Sequence, residues 1–260
     1  MADGTRHPSE ASEQHEAAGC TVHILPGGYT MILVVSMNLP SERAAGQSPT
    51  EPKCRFEDLT GSPVLVQHFT QVTPELVKAA GVKAVFIMGS AARWPDFDAA
   101  DFNGLYRTVM EVDVPIHGAC FGHQVLGVFF NGDFPWTGVP ATLKRMRELR
   151  VDEPDTHPGG NYPGWFFERG VCPVQILADD PVFEAIPSPA RFSEAHYWEV
   201  MKLPPDFIHL ARTDECEIQC MRHRDRPVYG TQFHPEVWYD RYPHGKQFMI
   251  NFFRLAGVTD

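Results

Sequence analysis

Two glycines placed two residues either side of a cysteine, in Gly118-Ala119-Cys120-Phe121-Gly122-His123-Gln124, break an otherwise apolar stretch. Before the break stands Val114-Pro115-Ile116 and after it Val125-Leu126-Gly127-Val128-Phe129-Phe130. A short apolar run, a glycine-flanked break and a longer apolar run predict a strand, a sharp turn and a helix. The glycines are what such a turn needs, because its strained backbone packs against its neighbours and leaves little room for side chains. The thiol then sits at a helix N-terminus, where unpaired N–H groups and the positive end of the helix dipole favour a thiolate. Cys120 is therefore a candidate nucleophile, and the N–H of Phe121 a candidate donor to a developing oxyanion. The plainer alternative makes Cys120 a small buried hydrophobe in an ordinary strand-to-helix turn.

A second element, more than a hundred residues on, bears on that choice. Pro227-Val228-Tyr229-Gly230-Thr231-Gln232-Phe233 reads as a buried strand running into His234-Pro235-Glu236. Pro235 disfavours the helical region for His234 and holds it extended. Residues two apart in an extended segment project to the same side, so the Glu236 carboxylate can reach the His234 ring. It would fix the tautomer and stabilise the imidazolium, leaving the other ring nitrogen to take a proton from Cys120. Taken alone, His-Pro-Glu is better read as a histidine ending a strand beside a surface glutamate. The two motifs together predict a Cys–His–Glu triad.

From Met31 onward short apolar strands alternate with helices: Val64–His68 as strand, Pro74–Ala80 as helix, Ala84–Met88 as strand, Phe102–Val112 as helix. Such alternation predicts an α/β fold with a mainly parallel central sheet and helices on both faces. Reactive groups in these sheets gather at the carboxyl ends of the strands, where Gly89, Cys120 and His234 all fall. Residues 1–30, rich in Glu, Ser, Ala, Gly and His, are expected to be a disordered tail, and 31–260 a single domain. Ser36–Thr60, with Pro40, Pro49 and Pro52, is expected as an extended connection. Between Gly132 and Gly170 five prolines interrupt any pattern, and 157–165 reads as a loop that could cover the site or meet a partner, with Trp165 as an aromatic anchor if exposed. Lys246–Leu255 has the periodicity of a closing core helix.

With these residues the chain resembles the class I glutamine amidotransferase family, whose cysteine elbow and downstream His-x-Glu match Gly118–Gln124 and Gly230–Glu236 in order and spacing. The resemblance runs from about Met31 to the C-terminus and implies a flavodoxin-like α/β fold. It also implies that Cys120 is the nucleophile, His234 the general base and acid, and Glu236 the orienting carboxylate. Gln124 matches the position contacting the substrate's side-chain amide. The family's second oxyanion donor follows an earlier strand in a glycine pair; here the pair is Gly89-Ser90, and a serine N–H serves provided no positive φ is needed. Phe192–Val200 corresponds to the stretch holding the substrate's α-amino and α-carboxylate groups, which makes Ala195, His196 and Tyr197 candidate substrate contacts. The family pattern there has serine after the histidine, whereas this chain has Tyr197 and Trp198.

The implied activity is glutamine hydrolysis through a Cys120 thioester, releasing ammonia to a synthetase on a separate polypeptide, since the chain carries no Gly-x-x-x-x-Gly-Lys loop. One alternative keeps the triad and makes the protein a free-standing hydrolase of γ-glutamyl amides or peptides; another makes it a non-catalytic subunit with a regulatory or binding role. The formal net charge of −11 argues against a nucleic-acid surface. No run approaches the roughly 20 apolar residues that span a bilayer, so no membrane contact and a cytoplasmic location are expected. Six scattered cysteines do not make a disulfide framework. Cys216 and Cys220 with nearby His223 lack a second ligand pair, and neither a metal nor another cofactor is expected. His123 is expected to pack beneath the turn.

Overall fold

The computed structural model describes residues 30–260, so the expected N-terminal tail lies, but for its last residue, outside the described residues. The first half runs β1 (Met31–Ser36), α1 (Pro40–Ala44), α2 (Thr50–Thr60), β2 (Val64–His68), α3 (Pro74–Ala79), β3 (Val82–Ile87), α4 (Asn103–Glu111), β4 (Ile116–Ala119) and α5 (Phe121–Phe130). The second runs β5 (Leu143–Arg145), β6 (Glu168–Ile176), β7 (Ala190–His196), β8 (Trp198–Val200), β9 (Phe207–Arg212), β10 (Cys220–His223), β11 (Val228–Thr231) and α6 (His244–Leu255).

Nine strands form one sheet in the order β2-β1-β3-β4-β11-β10-β9-β6-β7. The five from β2 to β11 pair in parallel, as the strand–helix alternation predicts. The remaining four continue the sheet antiparallel. Antiparallel neighbours need no crossover helix, so this half leaves no helical periodicity between its strands for a sequence reading to find. A separate two-stranded ribbon joins β5 to β8.

Both faces of the parallel half are covered, and the period-two alternation of a strand divides its residues between two cores. Leu33 and Val35 of β1, with Val85 and Ile87 of β3, pack with Val77, Leu105, Val109 and Val125 from α3, α4 and α5. Ile32 and Val34, with Ala84 and Phe86, face Phe56 of α2 and Phe248, Phe252 and Phe253 of α6. Phe56 stands edge-on between Phe86 and Phe253, at 4.9 and 5.1 Å between ring centroids. Burying each such ring stabilises the fold by about 1.5–3 kcal/mol.

The expectation of an extended connection over Ser36–Thr60 is corrected by α1 and α2. Its prolines start helices: Pro40 is the first residue of α1, Pro49 immediately precedes α2 and Pro52 lies in the first turn of α2. At these positions the missing N–H would have had no helical partner anyway. Gly61 ends α2 in the left-handed region, φ 67°, and its N–H closes on the Glu57 carbonyl.

Candidate active site

The site lies where β3, β4 and β11 end side by side. The parallel register of β4 on β11 sets Gly118 against Gly230 and Ala119 against Thr231, and the Cys120 N–H donates to the Thr231 carbonyl at 2.7 Å. That register brings His234, three residues beyond Thr231, over the elbow. Its N–H is held by the Ser193 carbonyl of β7 at 2.8 Å.

Cys120 has φ 51° and ψ −107°, a conformation that costs a non-glycine residue on the order of 1–3 kcal/mol. The turn persists because its neighbours leave no alternative. A Cβ on Gly122 would stand 2.4 Å from the Ile87 carbonyl oxygen, and one on Gly118 2.6 Å from the Gly122 oxygen. The phenyl ring of Phe121 is stacked between Trp94 and Phe97, at 4.4 and 4.5 Å. This aromatic stack fixes the first turn of α5.

The His234 Nδ1 lies 2.7 Å from Glu236 Oε1, so the carboxylate accepts the Nδ1 proton and leaves Nε2 for the thiol. Burial pulls the imidazole pKa down, but Glu236 and Cys120 outweigh it and raise the pKa well above the ordinary value. Gly89 makes room for the ring: a Cβ there would come within 2.9 Å of His234 Cε1 and 3.3 Å of the Cys120 Cβ. From the far side, Arg55 of α2 donates to the Glu236 and Trp238 carbonyls at 3.2 and 3.1 Å and lies over the Trp238 ring.

The predicted oxyanion residues converge on the same place. Gly89, Ser90 and Phe121 line one cavity of about 580 Å³ with Cys120 and His234. The Ser90 N–H has no acceptor among the described residues. Below the loop, Glu42 of α1, 7 % exposed, accepts from the Ser90 hydroxyl and from the N–H groups of Ala91 and Ala92.

The predicted substrate residues all line this cavity, in unequal ways. Gln124 is saturated by protein: its Oε1 accepts from Trp94 Nε1 at 2.8 Å, and its Nε2 donates to the Trp198 carbonyl and to Gln232 Oε1. Ala195 presents its carbonyl oxygen 3.8 Å from the Cys120 sulfur. The His196 ring is spent on the protein: Nδ1 donates to the Trp198 carbonyl, and Nε2 lies 3.0 Å from Glu168 and 3.4 Å from Glu194. Burial disfavours its charge, but the two carboxylates prevail and push its pKa up to about 10. Burial raises Glu194 to about 7, against the pull of His196. Tyr197 stacks on Phe167 at 4.3 Å and meets His157 Nδ1 through its hydroxyl.

The loop around 157–167 folds over the cavity and lines it through His157, Gly159, Gly160, Asn161, Tyr162 and Phe167. Asn161 donates to the Ala91 carbonyl at 2.7 Å, tying this cover to the loop after β3. Trp165 is half-buried and its face is occupied by Arg145 at 4.0 Å, so it is not a free anchor. His123 is fully buried beneath the turn, as expected, with its ring against Gly230.

Glu168, His196 and Cys216 bring one potential ligand atom each within 4.8 Å of one another. Burial and three neighbouring glutamates hold the Cys216 thiol well above its ordinary pKa.

Sequence reasoning missed Glu42, Arg55, Trp94 and Gln232, and named His157 only as part of a loop that could cover the site. Gln232 carried a signal, standing two residues before His234 and hence on the same side of the strand. Glu42, Arg55 and Trp94 reach the site only through tertiary packing.

Comparison with known proteins gives a consistent picture. The Glutamine amidotransferase class-I family model matches residues 56–256. The glutamine-hydrolysing GMP synthase subunit of Pyrococcus abyssi is 35% identical over 147 residues, 56% of this chain and 63% of that protein. The same-named protein of Thermococcus kodakarensis is 30% identical over 184 residues, 70% of this chain and 80% of its own. The chain thus spans somewhat under two thirds of the first of these relatives. Among solved structures, one described as a GMP synthase subunit from Thermoplasma acidophilum superposes with TM-score 0.67 at 21% identity, covering 89% of this chain and 96% of that one. A glutamine amidotransferase from Thermotoga maritima gives 0.51 at 14% identity, covering 88% and 84%. At these identities the structural likeness speaks to fold.

Proposed function

The chain belongs to the class I glutamine amidotransferase family, and from that premise we propose that it hydrolyses the side-chain amide of glutamine and supplies the ammonia to a synthetase on a separate polypeptide. The observation that carries this reading is the strained thiol at the N-terminus of α5, sharing one cavity with a histidine whose Nδ1 is held by Glu236.

Cys120 attacks the amide carbon, and the oxyanion is stabilised by the N–H groups of Phe121 and Ser90. The His234 imidazolium donates its proton to the departing ammonia. A water molecule then enters, gives its proton to the same imidazole and releases glutamate from the thioester. Residues 31–260 act as one catalytic unit, with glutamine held among Ala195, His196 and Tyr197. The relatives named as glutamine-hydrolysing subunits support a division of labour in which acceptor chemistry resides elsewhere.

A second reading, hydrolysis of larger γ-glutamyl amides or peptides by the same triad, is favoured by the size of the cavity, which lies within the range of drug-sized ligand pockets, and by its aromatic cover of Tyr162, Phe167 and Tyr197. Among the described residues no helix is long and apolar enough to cross a membrane.

Ammonia release from glutamine and cleavage of γ-glutamyl dipeptides, each measured for wild type and Cys120→Ala, test both readings. The first predicts the higher kcat/KM on glutamine. Either substrate turned over undiminished by Cys120→Ala would exclude the mechanism.

A further inference from the structure

The serine of the Gly89-Ser90 pair, where the resemblance leads one to expect glycine, has a partner that the triad does not explain. Glu42 is the third residue of α1, and its Oε2 reaches back to the Leu39 N–H at 2.8 Å, closing the first turn of that helix. The rest of its hydrogen-bonding capacity goes to the oxyanion loop. Both carboxylate oxygens accept from Ser90 Oγ, at 2.9 and 2.8 Å, and Oε1 also accepts from the N–H groups of Ala91 at 2.7 Å and Ala92 at 3.2 Å. Ser90 Oγ in turn accepts from the Ala92 N–H at 3.1 Å.

A buried carboxylate making this many charge-assisted bonds holds a loop far more firmly than neutral contacts would. It takes up the two N–H groups that follow Ser90 and leaves the N–H of Ser90, a residue that lines the same cavity as Cys120, without a protein acceptor among the described residues. A glycine at 90 would offer no hydroxyl for the carboxylate to grip. The geometry points to Glu42 as the positioning residue of the oxyanion hole: through the Ser90 hydroxyl and the Ala91 and Ala92 amides, it fixes the loop so that the Ser90 N–H faces the tetrahedral intermediate. This rests on the reading of Cys120 as an acyl-transfer nucleophile.

The test uses the full chain as wild type, Glu42→Gln and Ser90→Ala, with three readouts: glutamine hydrolysis, hydrolysis of p-nitrophenyl acetate, and alkylation of Cys120 by iodoacetamide. Both hydrolyses pass through an oxyanion. Alkylation is a direct displacement by the thiolate and needs none.

In Glu42→Gln, which replaces an all-acceptor group by one bearing an N–H₂, kcat on both substrates should fall about 10- to 100-fold, short of the 10²- to 10³-fold typical of deleting an oxyanion donor. KM for glutamine and the alkylation rate should stay within about threefold of wild type, since neither depends on the oxyanion. Ser90→Ala keeps the amide bonds to Glu42 and should show a smaller loss of kcat, not additive with Glu42→Gln because the two act through one network.

A Glu42→Gln protein with wild-type kcat overturns the inference. So does one whose alkylation rate falls as far as its kcat, because the residue would then support the whole site rather than the oxyanion loop. A wild type inert toward glutamine but active on the ester would sink the proposed function while Glu42→Gln still tests this inference on the ester. Inertness toward both would overturn both.

Discussion

At the residue scale, the arrangement around His234 makes a sharp prediction. Glu236 both selects the Nδ1–H tautomer and, with Cys120, raises the ring's pKa against the opposing effect of burial. Glu236→Gln removes the charge and keeps the size. His234 should then titrate at lower pH, and kcat should fall about 10²- to 10⁴-fold, the range over which general acid–base catalysis contributes. The ring signals of His234 followed by NMR across pH, beside steady-state rates, check both parts; an unmoved titration would detach Glu236 from the ring. Which residues meet here was legible in the sequence. Cys120, His234 and Glu236 are local motifs whose turn glycines and proline declare their backbone conformation. Gln124 was legible only as a position. Its saturation by Trp94, Trp198 and Gln232 depends on residues far away in the chain.

At the scale of elements, the site is a junction of three strand ends, where the elbow packs closely against β3. Gly122 of α5 lies so close to the Ile87 carbonyl that an alanine there needs a backbone shift. Gly122→Ala should destabilise the protein by about 1–3 kcal/mol, as overpacking does. It should also lower kcat, since the same shift moves the Phe121 N–H. A urea midpoint and an activity assay on the same preparation test the pair, and a variant as stable and active as wild type would show the elbow to be looser than drawn. The elements themselves were unevenly readable. The parallel strands and α3 to α6 follow from hydrophobic periodicity. The two helices of 40–60 do not, because a proline that starts a helix looks the same in sequence as one that breaks a pattern. That ambiguity conceals Glu42 and Arg55, which hydrogen-bond the 90–92 loop and the Glu236 and Trp238 carbonyls.

On the scale of the whole molecule, buried titratable groups set how stability depends on pH. His117 and His123 are fully enclosed, and burial first, then His123's proximity in the case of His117, lowers each to about 3. The folded protein therefore keeps them neutral where the unfolded chain would protonate them, so their contribution is lost as pH falls from about 6.5 toward 3. Glu194, raised to about 7, and His196, raised to about 10, act in the opposite sense: the folded state retains protons that the unfolded chain releases, and that contribution is lost as pH rises. His117 sits among Phe86, Phe248 and Phe252, so His117→Phe suits the space and removes one titration. Thr231, its hydrogen-bond partner, still donates to the Phe233 carbonyl. Below pH 6.5 the wild type should lose about 1.4 kcal/mol per pH unit relative to this variant. Denaturation midpoints from pH 7 to pH 5 measure it; parallel curves would contradict the buried neutral state.

The amino-acid sequence by itself determined the strand–turn–helix at Cys120, the extended His-Pro-Glu and the strand–helix alternation. Each follows from steric and hydrogen-bonding preferences acting over a few neighbouring residues. Tertiary structure alone decided that β11 lies beside β4, that Glu42 sits under Ser90 and that the loop around 157–167 closes over the cavity. Those juxtapositions join residues tens to more than a hundred positions apart. They are fixed by how two apolar cores fill their space on either side of one sheet, a constraint on the folded volume that no local pattern carries.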